Sequence, residues 1–214
     1  MTSDQRSARG RPRSEDARTA VLHAVDDLLV EIGYSAMTMK GIADRAGVGR
    51  MTLYRWWPTK AHILIEACVD DAREELGLDD GTDAYADLPA YLDALVCFLT
   101  SSTAGLAYRA LLGEAQHDQQ VATLVHQHDL FAASASRVIR TATGAEPGPR
   151  AVAELVGPVL YLVLTGRQPT RDDIGALATT FLRTHTADDG AAQRASTARS
   201  SSRPASRRAR RSPT

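Results

Sequence analysis

The sequence predicts an all-α protein in which an N-terminal three-helix unit with a helix-turn-helix precedes a larger helical domain. Three observations carry this. Apolar residues recur at three- and four-residue spacing in most of the chain, with no alternation of the kind strands need. The stretch Thr38–Lys60 reads as two short helices joined by a glycine turn. The net charge of −1 hides a sharp division. Residues 1–18 hold five arginines against three acids, residues 38–60 five basic residues against Asp44, and residues 188–214 seven arginines against Asp188 and Asp189. The rest of the chain is strongly acidic. Basic ends and a basic helix pair on an acidic body suit a polyanionic partner.

Residues 1–13 form a basic arm. Its Arg9-Gly-Arg-Pro-Arg13 run suits either a narrow minor groove or a disordered leader that attracts phosphates. Ser14, with Glu15 and Asp16 behind it, starts a helix. Val21, Ala24, Val25, Leu28, Leu29 and Ile32 form its apolar stripe up to a Gly33 cap. Thr38 can N-cap the next helix, which turns Ile42, Ala43 and Ala46 inward. At Gly47 φ can become positive, and Val48 can plug the corner. A second short helix runs from about Arg50 to Trp57, closed by Pro58. Leu53 and Trp57, four apart, share its inward face. Arg50, Thr52, Tyr54, Arg55 and Trp56 lie on its other faces, with groups able to meet phosphates and base edges. Such a pair of helices places its second member in a DNA major groove. The alternative is an αα-hairpin with a solvated charged face.

From Thr38 to Lys60, together with the helix before it, the chain resembles the DNA-binding domain of the TetR family of bacterial transcriptional regulators. The matching pieces are Gly33-Tyr34, Thr38, Ile42-Ala43, Ala46-Gly47-Val48, Leu53-Tyr54, Trp57 and Lys60. The resemblance implies that Lys40, Arg50 and Thr52 read bases. It implies that Thr38, Gly49, Tyr54, Arg55, Trp56 and Lys60 mostly meet the phosphate backbone. Trp56 departs from the family, which often has His or another polar residue there. The implied DNA-binding domain covers residues 14–58.

Residues 59–187 read as the second domain. A helix capped by Thr59 runs from Lys60 to about Leu78, and Asp79–Asp83 breaks it. Further helical patterns cover about 86–101, 106–116, 119–143, 149–166 and 171–186. The helix at Arg150–Thr165 is apolar on nearly all sides, so it must be covered on all sides. A second subunit is the economical cover, placing Leu155, Val159 and Leu162, with Phe181 of the next helix, at a dimer interface. TetR-like proteins resemble this arrangement, and Ala110–Gln116 with Gly157–Pro169 resembles one recurrent C-terminal subgroup of the family. The implied partners are palindromic double-stranded DNA, a second copy of the chain and an unidentified small-molecule effector. Tyr108, Arg109, Glu114, His117 and Tyr161 are the polar residues in apolar context that could orient that effector. Residues 188–214 hold no large apolar side chain and read as a disordered Arg-rich tail.

Enzyme chemistry finds little footing. His117-Asp118 and His128-Asp129 invite a metal-dependent hydrolase reading, but on one helix His126 and His128 diverge and His117 lies three turns away. No phosphate loop, nucleophile elbow or Cys-x-x-Cys pair occurs. Cys68 and Cys97 read as small apolar helix residues rather than a disulfide. No cofactor, catalytic residue or metal site is expected. No signal peptide or membrane span is expected either, which points to the bacterial cytoplasm, at the nucleoid when DNA is bound. A nonspecific architectural DNA-binding protein, acting through its basic arms, is the alternative function.

Overall fold

The computed structural model describes residues 11–77 and 88–185, and among these it shows helices and no strands. Most of the basic arm, the Asp79–Asp83 break and the Arg-rich tail lie outside the described residues. The first helix, α1 (Arg11–Ala36), begins three residues before the expected Ser14 start. It is interrupted at Gly33, whose φ of 75° and ψ of 165° only glycine adopts readily. Then follow α2 (Met39–Ala46), α3 (Arg50–Trp56) and α4 (Lys60–Glu75). Val21, Val25, Ile42, Leu53 and Trp57 are buried together, so α1 braces the helix pair as its apolar stripe requires.

Helix α4 is buried on more sides than one amphipathic stripe allows. Ile63, Leu64, Ile65 and Cys68 are all 2% exposed or less. It packs against α1, α6 and α7, so the helix that leaves the helix-turn-helix runs into the core of the second part. The next pair, α5 (Leu88–Ser101) and α6 (Thr103–Glu114), turns through 77° around Ser102. Gly105 makes that turn possible, because a side-chain carbon there would run into the Phe98 carbonyl and the backbone of Leu99.

The expected single helix over 119–143 is two, α7 (Gln119–Gln127) and α8 (Ala132–Thr143). Asp118 caps α7 through bonds from the Gln120 and Val121 amides. The break at 128–131 lets Leu130 and Phe131, neighbours in sequence, both turn inward at 5% and 2% exposure. Phe131 meets Phe98 and Tyr108 edge-on at 6.0 and 5.2 Å. Deep apolar burial of that ring outweighs the helix hydrogen bonds given up. Nearby, the buried Tyr91 and Ser134 hydroxyls bond each other at 3.0 Å.

Helix α9 (Pro149–Leu164) and α10 (171–185) close the chain. Thr170 and Asp173 cap α10 reciprocally: the Asp173 amide donates to the Thr170 hydroxyl and the Thr170 amide to the Asp173 carboxylate. The residues expected at a dimer interface lie mostly inside the single chain. Leu155, Val159 and Phe181 are buried within the single chain, and Leu162 is half-buried. Contacts with α5 and α8 already cover the face on which Leu155 and Val159 lie. The open face carries Ala153, Gly157, Tyr161 and Leu164, the last two 64% and 51% exposed.

Replacing Gly105 by Ala is expected to lower stability by roughly 2–3 kcal/mol, since backbone rather than a pliable side chain must move. A urea titration of the Gly105→Ala chain beside Gly113→Ala checks this. A methyl at Gly113 meets nothing within 4 Å, so that control is expected to lose no stability.

Candidate nucleic-acid interface

Local chemistry fixes the α2–α3 pair. The Thr38 hydroxyl accepts a bond from the Gly41 amide at 3.0 Å, which settles the start of α2. Gly47 takes the left-handed conformation at φ 66° and ends the helix, while the Val48 amide returns to the Ala43 carbonyl at 3.1 Å. The Gly49 carbonyl then accepts from Thr52 and Leu53 and starts α3. With Leu53 at 0% and Trp57 at 4% exposure, α3 cannot rotate, and its opposite side must face solvent.

That side presents Arg50, Tyr54 and Arg55, as expected, together with exposed Met51. Met51 was not among the expected residues. At 83% exposure it is an apolar side chain held in water, suited to a thymine methyl. Its place in the first turn beside Arg50 was the available signal. Thr52 is half-buried, while Gly49 and Thr38 are exposed. Lys40 is exposed and pairs with Asp44 at 3.0 Å across one helical turn. A pair so open to solvent is weak and yields readily to a phosphate.

Two of the residues expected at the DNA backbone, Lys60 and Trp56, also have partners within the chain. The Lys60 ammonium donates to the Tyr34 and Met37 carbonyls at 2.6 and 3.1 Å and lies 4.0 Å from the Tyr34 ring centre. It ties the end of α1 to the start of α4, and burial pulls its pKa down. Trp56 is half-buried, edge-on to Trp57 at 5.5 Å, on the flank toward α4.

Charges behind the pair hold it in place. Arg18 of α1 spans Glu66 at 2.5 Å and Asp70 at 2.8 Å, one turn apart on α4. The second Glu66 oxygen accepts from the Trp57 indole at 2.6 Å. Glu66 therefore joins the end of the helix pair to α1 and α4 at once. Arg45 reaches back from α2 to Glu31 and Asp27. Asp26 is less well served: one of its carboxylate oxygens is buried without a hydrogen-bond partner. Desolvation first, then Asp71 across the α1–α4 contact, raises its pKa from 3.8 to about 6, against a smaller opposing pull from His23.

The five residues expected around an effector do not come together in the cavities formed by the described residues. Tyr108 is a core residue against Phe131, and Arg109 donates to the Leu99 carbonyl at 3.1 Å. His117 and Tyr161 are exposed, on the turn after α6 and on the open face of α9. Glu114 alone of the five lines a described cavity, a crevice of about 150 Å³ beside Tyr34, Lys60 and Asp118. These residues occupy different faces of their helices, which linear spacing could not reveal across α6 and α9. A larger cleft of about 300 Å³ lies between the end of α3, α4 and α7. Among the described residues, no three His, Cys, Asp or Glu side chains gather as metal ligands. His117 and His128 sit on separate turns rather than one continuous helix.

The fold and the α2–α3 geometry define a helix-turn-helix protein. Residues 21–67 match the sequence model described as "Bacterial regulatory proteins, tetR family". The solved TetR family transcription regulator SCO0332 is 30% identical with a TM-score of 0.63, over 78% of this chain and 97% of that one. YdeS of Bacillus subtilis, an uncharacterized HTH-type transcriptional regulator, is 37% identical over 116 residues, 54% of this chain and 58% of YdeS. The HTH-type transcriptional repressor KstR of Mycobacterium tuberculosis is 36% identical over 77 residues, 36% of this chain and 34% of KstR. The matched stretches thus span little more than half of one curated relative and a third of the other. The chain belongs to the TetR family of transcriptional regulators.

Asp26→Asn is expected to stabilise the protein near neutral pH. A carboxyl whose pKa rises on folding holds its proton more tightly in the folded state. Its favourable contribution is therefore greatest below about pH 4 and is lost as pH climbs through about 6. Allowing for partial exposure, the gain at pH 7.5 is on the order of 1–2 kcal/mol. Urea titrations between pH 4 and 7.5 read it, as a flatter profile for the variant.

Proposed function

We propose that the chain acts as a homodimeric repressor that reads a palindromic operator through α3 and releases it when a small molecule binds. The observation that carries the reading is the outward face of α3. It sets Arg50, Met51, Tyr54 and Arg55 toward solvent on a helix locked by Leu53 and Trp57. Arginine there can pair with guanine edges in two bonds, and the Met51 and Tyr54 side chains suit thymine methyls. Lys40 and Thr52 join them as base readers. Thr38, Gly49, Tyr54, Arg55 and Trp56 supply backbone contacts, and Lys60 does so at the edge of its inward bonds. Residues 14–58 form the reader and 59–187 the regulatory part, which works in the bacterial cytoplasm on nucleoid DNA.

The dimer is supported by the open face of α9. Ala153 and Gly157 let backbones approach, while Tyr161 and Leu164 leave apolar surface that a two-fold mate would cover. Pairing there would present two α3 helices to half-sites one helical turn apart.

Binding of the purified chain to DNA flanking its own coding region, with unrelated DNA as competitor and salt varied, tests the reading. Protection of a short palindrome that survives competitor supports it. Binding that competitor removes equally, with a steep salt slope, favours a nonspecific architectural role instead.

Two substitution sets give sharper outcomes. Arg50→Ala is expected to cost about 1–3 kcal/mol at one base pair and relax preference there. Lys60→Ala weakens all sequences alike and also lowers stability, because the Tyr34 and Met37 carbonyls lose their donor. Competition with operators altered one base at a time separates the two. Tyr161→Asp with Leu164→Asp is expected to yield monomers by sedimentation and to abolish the preference for a full palindrome over a half-site. A dimer that persists in that variant places the interface elsewhere.

A further inference from the structure

We propose that the cleft bounded by the end of α3, the outer side of α4 and α7 is a binding site for a one- or two-ring aromatic carboxylate, and that occupancy alters DNA binding. The coupling rests on the regulator reading given above; the binding site does not.

The cleft measures about 300 Å³, the lower end of the range for small-molecule sites. A second cleft of about 200 Å³ adjoins it, and both are lined by Val69, Arg73 and His128. The walls include Ile65 and Leu124, each over nine-tenths buried, with half-buried Val69. Trp56 stands at one side, its ring held at 86° to that of Trp57. A half-buried indole beside an apolar wall offers a flat ligand both a stacking partner and a desolvated bed.

Ionic chemistry at the rim selects the ligand's charge. Glu66 has both oxygens engaged, by Arg18 and by the Trp57 indole. Asp70 is bound by the same arginine at 2.8 Å. One guanidinium thus engages both acids from behind, which leaves Arg73 as the cation at the rim. Arg73 is differently placed: its ion pair with Asp70 is a long 3.6 Å, and its side chain is 60% exposed. It stands where the two clefts meet, beside exposed His128. A guanidinium so weakly committed can take a carboxylate in two parallel hydrogen bonds. The result is a ring against Trp56 and Val69 with its carboxylate on Arg73.

Position supplies the coupling. The ligand would touch the last residue of α3, the body of α4 and the middle of α7 together. Trp57 and Glu66, which bond α3's end to α4, are themselves in the cleft wall. A ligand that fits one arrangement of α3 on α4 better than another shifts operator affinity, and operator shifts ligand affinity equally.

Calorimetry of the full chain with 1-naphthoate, and with neutral 1-naphthalenemethanol as the uncharged probe, tests the site. Naphthoate is expected to bind the wild type. Arg73→Gln should weaken naphthoate by about tenfold or more while leaving the alcohol unchanged. Val69→Trp, which fills the cleft, should remove both. Circular dichroism and operator affinity without probe confirm that both variants fold. Absence of binding near 1 mM naphthoate, or binding that neither substitution changes, overturns the site. In a parallel operator titration, naphthoate should weaken wild-type binding and leave Val69→Trp unaffected. Binding that shows the variant pattern without any effect on operator overturns the coupling. If no operator is found at all, the regulator reading fails while calorimetry still decides the site.

Discussion

The arrangement of this protein depends on one carboxylate. Glu66 accepts from Arg18 with one oxygen and from the Trp57 indole with the other, so α1, α4 and the end of the helix-turn-helix meet at a single group. Hydrogen bonds to a charged partner are roughly twice as strong as neutral ones, and here two of them converge where water is partly excluded. Leu53 and Trp57 hold α3 against the core by burial, which is strong but indifferent to direction. The Glu66 node adds direction: it fixes which way the indole points and therefore where the outward face of α3 lies. Lys60 does similar work nearly two turns earlier, clasping the Tyr34 and Met37 carbonyls around the end of α1. The helix pair and the first half of α4 are thus joined at two points, Glu66 and Lys60.

Not every contact across that junction is favourable. Asp26 and Asp71 oppose each other on α1 and α4, and burial raises the pKa of both. The neighbouring Cys68 thiol gives a bond to the Ala104 carbonyl, and its pKa is also driven up, mainly by burial. A like-charge contact beside the Arg18–Glu66–Asp70 clamp means the α1–α4 seam is held at one point and strained at another.

Much of the reader was legible in the sequence, because its determinants are local. Thr38, Gly47 and the Leu53–Trp57 spacing act within a few residues, and the structure places each as those rules require. Family membership followed from the same motif. The second part was less legible. Helical periodicity placed α5, α6 and α9 to within a few residues. It missed the break at 128–131, because the aromatic contacts of Phe131 with Phe98 and Tyr108 join residues far apart in sequence. That Leu155, Val159 and Phe181 are covered within the single chain was hidden for a related reason. An all-apolar helix announces that every side is covered, but not by what. Tyr161, which looked like a polar handle in an apolar setting, lies on the side left open.

Charge counting shows the same limit from the other direction. The basic excess of residues 38–60 made the helix pair look uniformly attractive to phosphate, yet its five cations do different work. Arg45 is committed to Glu31 and Asp27, and Lys60 to backbone carbonyls. Lys40 is loosely held by Asp44, while Arg50 and Arg55 form no ion pair among the described residues. The exposed cations without a strong internal partner, Arg50, Arg55 and Lys40, therefore lie on α3 and the start of α2. Concentration of this kind favours specificity over bulk attraction. Cations spread over a surface bind any duplex, whereas two arginines on one rigid face must find the base edges that match their spacing. Under the proposed repressor reading, the orientation set at Glu66 makes that modest local charge a reading surface.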